Sequence, residues 1–261
     1  MADPLIELDH IGKSFDGGRA LALKDVSLSI PAGAFVALVG QSGSGKTTTL
    51  KTINRLVEPD AGEARIAGRP VREQPGHVLR RRIGYVFQGI GLFPHLTVGE
   101  NIAVGPRLAH WAEGRIAARI DELLDLVALP QRLAERLPAA LSGGQQQRVG
   151  LARALAAGPE IMLMDEPFGA LDPVTRLELG DAYRDLHHRL GLTTVMVTHD
   201  VQEAVLLADR VVVMKDGHVL ADDSPRALLA GHPDPDVAAL MATPKLQAKR
   251  VAALMRNGSH G

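Results

Sequence analysis

The 261-residue sequence has no cysteine, few aromatic residues and no excess of either charge. The lack of cysteine excludes disulfides and thiolate metal sites, and it suits a reducing cytoplasm. With 29 basic and 30 acidic residues the net charge is −1, so no general attraction to a nucleic-acid backbone is expected. Aromatic residues make up only 3% of the chain, which leaves no platform for stacking single-stranded bases. We therefore do not expect nucleic acid as a partner.

Long apolar segments are also missing. No stretch approaches the roughly 18 uninterrupted apolar residues of a membrane-spanning helix. The N-terminal residues carry acids and lack the basic and then apolar layout of a signal peptide. The chain is 46% hydrophobic, however, which is enough to bury a full α/β core. These properties predict a globular protein.

The clearest motif is Gly40-Gln-Ser-Gly-Ser-Gly-Lys-Thr47, which fits the phosphate-binding pattern GxxxxGK[ST] in full. The apolar run from Phe35 to Val39 predicts a buried parallel strand before it. Apolar residues at spacing three predict a helix from Thr47 to Leu56 after it. Strand, glycine loop and helix are the context that this motif requires.

Each part of this loop has a predicted role in holding a nucleotide. Backbone N–H groups from Ser42 to Thr48 would surround the β-phosphate, and the Lys46 ammonium would reach the β and γ oxygens. The Thr47 hydroxyl would bind Mg²⁺. The predicted phosphate-binding residues are Gly40, Ser42, Gly43, Ser44, Gly45, Lys46, Thr47 and Thr48.

Two acidic residues, Asp165 and Glu166, end an apolar segment that begins at Ile161. Alone, this could be an ordinary exposed strand end. Downstream of a phosphate loop, we expect Asp165 to hold Mg²⁺ through its water shell. We expect Glu166, one residue beyond, to polarise the attacking water as general base. The predicted cofactors are therefore ATP and Mg²⁺.

A second anion-binding element is predicted at Leu141-Ser-Gly-Gly-Gln145, where a serine and two glycines open a helix. Such a start exposes backbone N–H groups at the positive end of the helix dipole. An ordinary capped helix start is the alternative for this segment taken alone.

The phosphate loop, the LSGGQ segment and the Asp-Glu strand end, in this order and spacing, resemble the nucleotide-binding subunit of ABC transporters from about residue 5 to residue 245. The resemblance implies a P-loop core with a mainly parallel sheet, an antiparallel β edge layer and a helical insertion. It also implies a head-to-tail dimer in which the LSGGQ segment of one copy caps the γ-phosphate of ATP on the other. The residues expected to do so are Ser142, Gly143, Gly144 and Gln145.

The same resemblance implies roles for four further residues. Gln88 matches the glutamine that contacts Mg²⁺ and the attacking water, and His199 matches the switch histidine that touches the γ-phosphate. Asp172 matches the loop that links the two sites across the dimer. Phe15 falls where an aromatic ring stacks on adenine, although the family often has tyrosine there.

The predicted nucleotide-binding domain spans residues 1–232, with its helical insertion at about 93–157, and a helical tail covers 233–261. The tail carries apolar residues that favour a docking helix, among them Val237, Leu240 and Met241. No appended regulatory domain is expected. The adjacent pair His187 and His188 is not expected to bind a metal, because neighbours on a helix point in different directions, and both are predicted at the surface.

Several segments, among them Ile53–Pro59 and Phe168–Pro173, resemble importers of osmoprotectants such as glycine betaine, choline and carnitine. Implied partners are membrane permease subunits and, indirectly, a substrate-binding protein, at the cytoplasmic face of the membrane. The alternatives are an import ATPase for another small solute, such as an amino acid or a polyamine, and a non-transport ABC ATPase. The latter would be expected to carry long coiled coils, cysteine-bound zinc or two cassettes in one chain.

Overall fold

A computed structural model describes residues 4–89 and 91–257 of the chain. The strands are β1 (Pro4–Ser14), β2 (Leu21–Pro31), β3 (Phe35–Val39), β4 (Ala61–Ile66), β5 (Arg69–Pro70), β6 (Ile83–Val86), β7 (Ile161–Asp165), β8 (Thr193–Val197), β9 (Arg210–Lys215) and β10 (His218–Asp223). The α-helices are α1 (Lys46–Ile53), α2 (Gly76–Arg81), α3 (Val98–Leu108), α4 (Glu113–Leu126), α5 (Gly143–Leu155), α6 (Pro173–Leu190), α7 (Val201–Leu207), α8 (Pro225–Ala230) and α9 (Pro235–Asn257). Short 3₁₀ helices cover Val71–Glu73, Gln131–Leu133 and Pro138–Ala140. No helix in these two ranges is both long and apolar enough to cross a bilayer.

The central sheet has six strands in the order β10-β9-β3-β8-β7-β6. Neighbouring strands run parallel except for β9 and β10, which form an antiparallel hairpin. Every residue of β3, β7 and β8 is buried, as expected for strands that are covered on both faces. The predicted α/β class with a mainly parallel sheet is confirmed.

The second sheet is an antiparallel layer in the order β2-β1-β4-β5, packed against one face of the central sheet. Side chains along β2 point alternately to its two faces, and this buries Val26, Leu28 and Ile30. They lie in a core that also contains Val36 and Leu38 of β3. The remaining residues of β3 face the opposite core, which the helices cover. The two cores hold β3, and therefore the loop that follows it, from both sides.

Helices α3, α4 and α5 pack together between β6 and β7 in the chain and contribute to the helical core. The apolar stripe of α4 buries Ile116, Leu123 and Leu124. The helix ends at Leu126, four residues before Pro130. Ala128 has a positive φ of 51°, and the Leu129 amide turns back to the Leu124 carbonyl at 2.8 Å.

The bounds of α1 also differ from the predicted Thr47–Leu56. The helix begins one residue earlier, at Lys46, because Gly45 is its N-cap. It ends at Ile53 because Arg55 adopts a positive φ of 57° and the Leu56 amide bonds to the Lys51 carbonyl at 2.9 Å. Leu56 is consequently exposed and does not extend the core stripe.

The C-terminal helix α9 docks through its first turns. Val237 and Met241 are buried in the helical core, and Leu240 packs partly against it. Leu246 is exposed, and the side chains of Val251 and Leu254 lie outside the described residues. The first half of α9 therefore packs on the helical core.

His187 is buried, which contradicts the prediction that it lies at the surface, whereas His188 is exposed as expected. The His187 ring lies 3.0 Å from the Thr194 hydroxyl and 3.1 Å from the Gly33 carbonyl oxygen. Because a carbonyl can only accept, Nε2 carries the proton and Nδ1 accepts from Thr194. Desolvation, and then the Arg184 charge, lower the pKa of His187. The residue is a neutral cross-link between α6 and β8, and no group of three or more His, Asp or Glu side chains within the described ranges is arranged to hold a metal.

The buried neutral His187 predicts a loss of stability in mild acid. Its folded pKa is below 6.5, so the unfolded chain binds the extra proton first, and stability falls as pH drops from about 6.5 through the folded pKa. The slope contributed is at most about 1.4 kcal/mol per pH unit. His187→Leu should remove this slope and cost about 1–3 kcal/mol at pH 8, because the Gly33 carbonyl loses its donor. Urea unfolding at several pH values measures both the slope and the loss of stability. His188→Gln is the control and should keep the slope. An unchanged slope in His187→Leu would contradict the assignment of His187 as a buried neutral residue.

Candidate nucleotide-binding site

The loop between β3 and α1 approaches its neighbours so closely that glycine is required at two positions. Gly45 has a φ of 99°, and a Cβ there would lie 2.7 Å from the Ala22 carbonyl oxygen. A Cβ on Gly40 would lie 2.1 Å from the Met214 carbonyl oxygen. The loop is thereby held against both sheets, and the N terminus of α1 follows directly. Such a helix start with exposed N–H groups binds anions.

Lys46 is the charged group of this loop. Its ammonium donates to the carbonyl oxygens of Gly40 and Gln41, both at 2.8 Å, and to the Ser44 hydroxyl at 3.3 Å. Burial lowers the pKa of Lys46, and the nearby carboxylates of Glu166 and Asp165 partly oppose this. The ammonium is therefore fixed inside the loop by bonds that a phosphate oxygen could replace.

Asp165 ends β7 beside the start of α1. The Thr47 hydroxyl donates to its carboxylate at 2.9 Å, and burial raises the pKa of Asp165. A hydroxyl and a carboxylate next to a phosphate-binding loop fit Mg²⁺, which usually takes one or two protein oxygens and completes its shell with water and phosphate.

Glu166 and His199 face each other at the ends of neighbouring strands. The Glu166 carboxylate lies 3.4 Å from His199 Nδ1, and the Glu166 amide donates to the Val197 carbonyl at 2.9 Å. Glu166 has a positive φ of 50°, which is uncommon for a residue other than glycine. Backbone strain of this kind concentrates at functional sites.

Most of these residues line one cleft of about 480 Å³, whereas Gly40 and Asp165 do not line it. The cleft is lined by Ala22, Ser42, Gly43, Ser44, Gly45, Lys46, Thr47, Thr48, Gln88, Glu166 and His199. The structure therefore brings together the phosphate loop and all three predicted catalytic side chains. Ala22, from the antiparallel layer, is a lining residue that sequence analysis did not identify.

The LSGGQ segment lies elsewhere on the same chain, and none of its residues lines this cleft. Ser142 and Gln145 form a reciprocal capping box at the start of α5, at 3.0 and 3.3 Å. Asp172 also stays outside the cleft and caps α6 by accepting from the Thr175 amide at 3.0 Å. A single chain therefore does not join its two predicted phosphate-binding elements.

Phe15 is 66% exposed and does not line the cleft either. Its neighbours are held by Asp60, which accepts from the Ser14 amide and the Lys13 ammonium, both at 2.7 Å. The Lys13 ammonium lies 5.5 Å from the centre of the Phe15 ring. The ring is thus presented to solvent on a fixed backbone.

A mainly parallel sheet, a glycine loop around a lysine, and two carboxylates at the end of β7, which β8 separates from β3, define a P-loop nucleotide-binding protein. Comparison with known families makes the class specific, because a family model described as ABC transporter matches residues 23–169. The chain belongs to the ABC transporter family and is an ATP-binding cassette of the ATPase class.

Two relatives and one solved structure illustrate the similarity. The glycine betaine uptake system ATP-binding protein YehX of Escherichia coli is 53% identical over 86% of this chain and 72% of its own length. The carnitine transport ATP-binding protein OpuCA of Listeria monocytogenes is 48% identical over 86% of this chain, but only 56% of its own length. The solved structure is a dimeric post-hydrolysis state of the ATP-binding cassette MJ0796 bound to ADP and Pi. It matches with a TM-score of 0.79 and 36% sequence identity, over 85% of this chain and 99% of the MJ0796 chain.

Proposed function

We propose that two copies of this chain hydrolyse ATP at shared interfaces and thereby power an importer, with osmoprotectants as its cargo. The observation that carries the proposal is the separation of the two phosphate-binding elements. The cleft holds Lys46, Glu166, His199 and Gln88, while the LSGGQ segment lies outside it. A second copy placed head to tail supplies that segment, as closed C2 symmetry allows.

The functional groups of this site have separate roles in the reaction. Lys46 and the loop amides orient the phosphates, and Glu166 accepts the proton of the attacking water. His199, whose Nδ1 lies 3.4 Å from that carboxylate, contacts the γ-phosphate. Thr47, Asp165 and Gln88 would hold Mg²⁺, which supplies positive charge to the phosphate oxygens. Ser142, Gly143, Gly144 and Gln145 of the second copy complete the γ-phosphate site.

The permease is proposed to bind in a groove of about 700 Å³ between α2, β6, α3 and α5, here called the insertion groove. Its apolar lining includes Phe87, Phe93 and Leu108, all of them substantially exposed. The Arg153 guanidinium lies 5.8 Å from the Phe93 ring at one side. An apolar groove of this kind suits an amphipathic helix of a membrane subunit.

Phe93→Asp is expected to uncouple transport from ATP hydrolysis. A charge in the insertion groove should weaken permease binding by about 30-fold, which corresponds to a hot-spot loss of about 2 kcal/mol. Basal ATPase of the isolated subunit should stay within about twofold of wild type, because Phe93 does not line the nucleotide cleft. Leu190→Asp, at a similarly exposed position at the end of α6, is the control. An equal loss of transport and ATPase activity in Phe93→Asp would indicate a folding role for Phe93.

Leu92→Asp is less informative, since Leu92 packs against the helical core.

Osmoprotectant cargo is supported by the names of the relatives and by the sequence resemblance. Quaternary ammonium ligands are usually held by several aromatic faces. The only tryptophan, Trp111, has its ring covered by the Arg115 guanidinium at 3.6 Å. The aromatic cage for such a cargo therefore belongs on another subunit, most simply an external binding protein.

The purified subunit should bind ATP in calorimetry but show no binding of glycine betaine, choline or carnitine. In a lipid-reconstituted complex, the cargo-loaded binding protein added outside should accelerate ATP hydrolysis. Saturable binding of a quaternary amine to the subunit itself would overturn this division of roles. Stimulation only by an amino acid or a polyamine would leave the ATPase assignment intact and refute the osmoprotectant cargo.

A further inference from the structure

Gln147, on α5, is buried, and its side chain connects this helix to the residues that follow β7. Its side-chain nitrogen donates to the Glu166 carbonyl at 2.9 Å, and its side-chain oxygen accepts from the Ala170 amide at 2.9 Å. The two partners fix the orientation of the side-chain amide, because a backbone carbonyl only accepts and a backbone N–H only donates. A glutamine is needed here, since the side chain must donate and accept at once.

The first of these bonds acts on the residue proposed as general base. Glu166 keeps a positive φ, and an unusual backbone conformation persists only when its surroundings hold it. The Val197 carbonyl holds the Glu166 amide, while Gln147 and, at 3.3 Å, the Gly169 amide hold the Glu166 carbonyl. This backbone conformation directs the carboxylate toward His199.

The second bond acts on the segment that leads to Asp172. The start of α5 packs tightly on this segment, because a Cβ on Gly144 would lie 3.2 Å from the Leu171 side chain. Ser142, five residues before Gln147, opens the same helix. The first turn of α5 therefore carries the LSGGQ segment, and its second turn carries Gln147, which bonds to Glu166.

We propose that Gln147 is a positioning residue that holds Glu166 in its active conformation and links it to the LSGGQ segment of the same chain. This inference rests on the proposed function, in which that LSGGQ segment serves the ATP of the other copy. When the start of α5 binds the nucleotide of the partner copy, it then aligns Glu166, the general base of the chain's own site. This buried amide thereby contributes to the coupling between the two sites of the dimer.

Gln147→Met keeps the size of the side chain and removes both hydrogen bonds. We expect kcat to fall by about tenfold or more, as for a displaced catalytic group, with the KM for ATP within about twofold of wild type. Gln146→Met is the matched control, because the Gln146 side chain donates to the Leu141 carbonyl of its own helix start, at 3.1 Å, and forms no hydrogen bond with Glu166 or Ala170. This variant should keep a near-normal kcat. A kcat within twofold of wild type in Gln147→Met overturns the proposal.

Gln147→Glu provides a readout that a purely structural role would not give. When ionised, the new carboxylate accepts from Ala170 but cannot donate to the Glu166 carbonyl; when protonated, it does both. Burial raises the pKa of such a carboxyl, so the kcat of Gln147→Glu relative to wild type should rise as pH is lowered. The same ratio for Gln147→Met should be independent of pH. A flat ratio for Gln147→Glu overturns the proposal, and this test holds even if the Met variant fails to fold.

Single-turnover hydrolysis by the double variant separates this proposal from the function on which it rests. If Gln147 acts through Glu166, adding Gln147→Met to Glu166→Gln should slow the reaction by less than about twofold. A full additional tenfold loss would make Gln147 a structural residue only. If Glu166→Gln by itself hydrolyses ATP at the wild-type rate, the general-base role of Glu166 in the proposed function fails, whatever Gln147 does.

Discussion

Glu166→Gln is expected to slow ATP hydrolysis by about 10²- to 10⁴-fold without loss of ATP binding. The amide has the same shape as the carboxylate but cannot accept the proton of the attacking water. The contacts of Lys46 and the loop amides with the phosphates are unaffected. The uncleaved nucleotide should therefore hold two copies together, so that size-exclusion chromatography with ATP and Mg²⁺ shows a dimer.

Glu203→Gln is the matched control for this experiment. Glu203 is a second partly buried carboxyl, on α7, and it does not line the nucleotide cleft. Its replacement should leave hydrolysis nearly unchanged and should not trap a dimer. A Glu166→Gln variant that stays monomeric and hydrolyses ATP at the wild-type rate would refute the assignment of Glu166.

Ser142→Arg is expected to abolish turnover, by at least about 10²-fold, while the isolated subunit still binds ATP normally. The long side chain would occupy the space in which the helix start of α5 meets the γ-phosphate of the other copy. The chain's own cleft is untouched, because Ser142 does not line it. Fluorescent-nucleotide titration of the monomer and steady-state ATPase measure the two effects.

Ser142→Ala separates the loss of the cap from the obstruction. Both substitutions remove the capping bond to the Gln145 amide and should cost about 0.5–2 kcal/mol of stability. Only the arginine places bulk at the interface, so Ser142→Ala should retain far more activity than Ser142→Arg. Loss of ATP binding in the Ser142→Arg monomer would contradict the head-to-tail arrangement.

The fold was predictable wherever one local signal was strong. The apolar run Phe35–Val39 followed by a complete glycine motif predicts a buried strand and a phosphate loop, and the structure has both. The end of α1 was not predictable in this way, because Arg55 leaves the helix through a left-handed conformation that its residue type does not favour.

Positions defined by tertiary contacts escaped sequence analysis. His187 looks like any polar residue on a helix, and its burial depends on partners in β8 and at Gly33. Gln147 stands in a run of three glutamines, and its neighbours give no sign of which side chain turns inward. Both are identified only by hydrogen bonds between segments that are distant in the chain.

The nucleotide site was predictable in its parts but not in its assembly. Sequence order shows that Lys46, Glu166 and His199 each end a strand or loop, and a parallel sheet brings such ends to one edge. The position of the LSGGQ segment outside that cleft depends on how the inserted helices pack. It was expected from the family resemblance and not from the pattern itself.

Complementation between two inactive variants tests the shared site most directly. Lys46→Ala loses its own phosphate contact, and Ser142→Arg obstructs the site of its partner. If the sites are shared head to tail, a mixed dimer contains one intact site. In an equimolar mixture about half of the dimers are mixed, and each of these has one of its two sites intact. The mixture should therefore recover up to about a quarter of the wild-type ATPase activity. If each chain carries its whole site alone, every site in the mixture is damaged. A mixture as inactive as its separate components, with mixed dimers shown to form, would contradict the account.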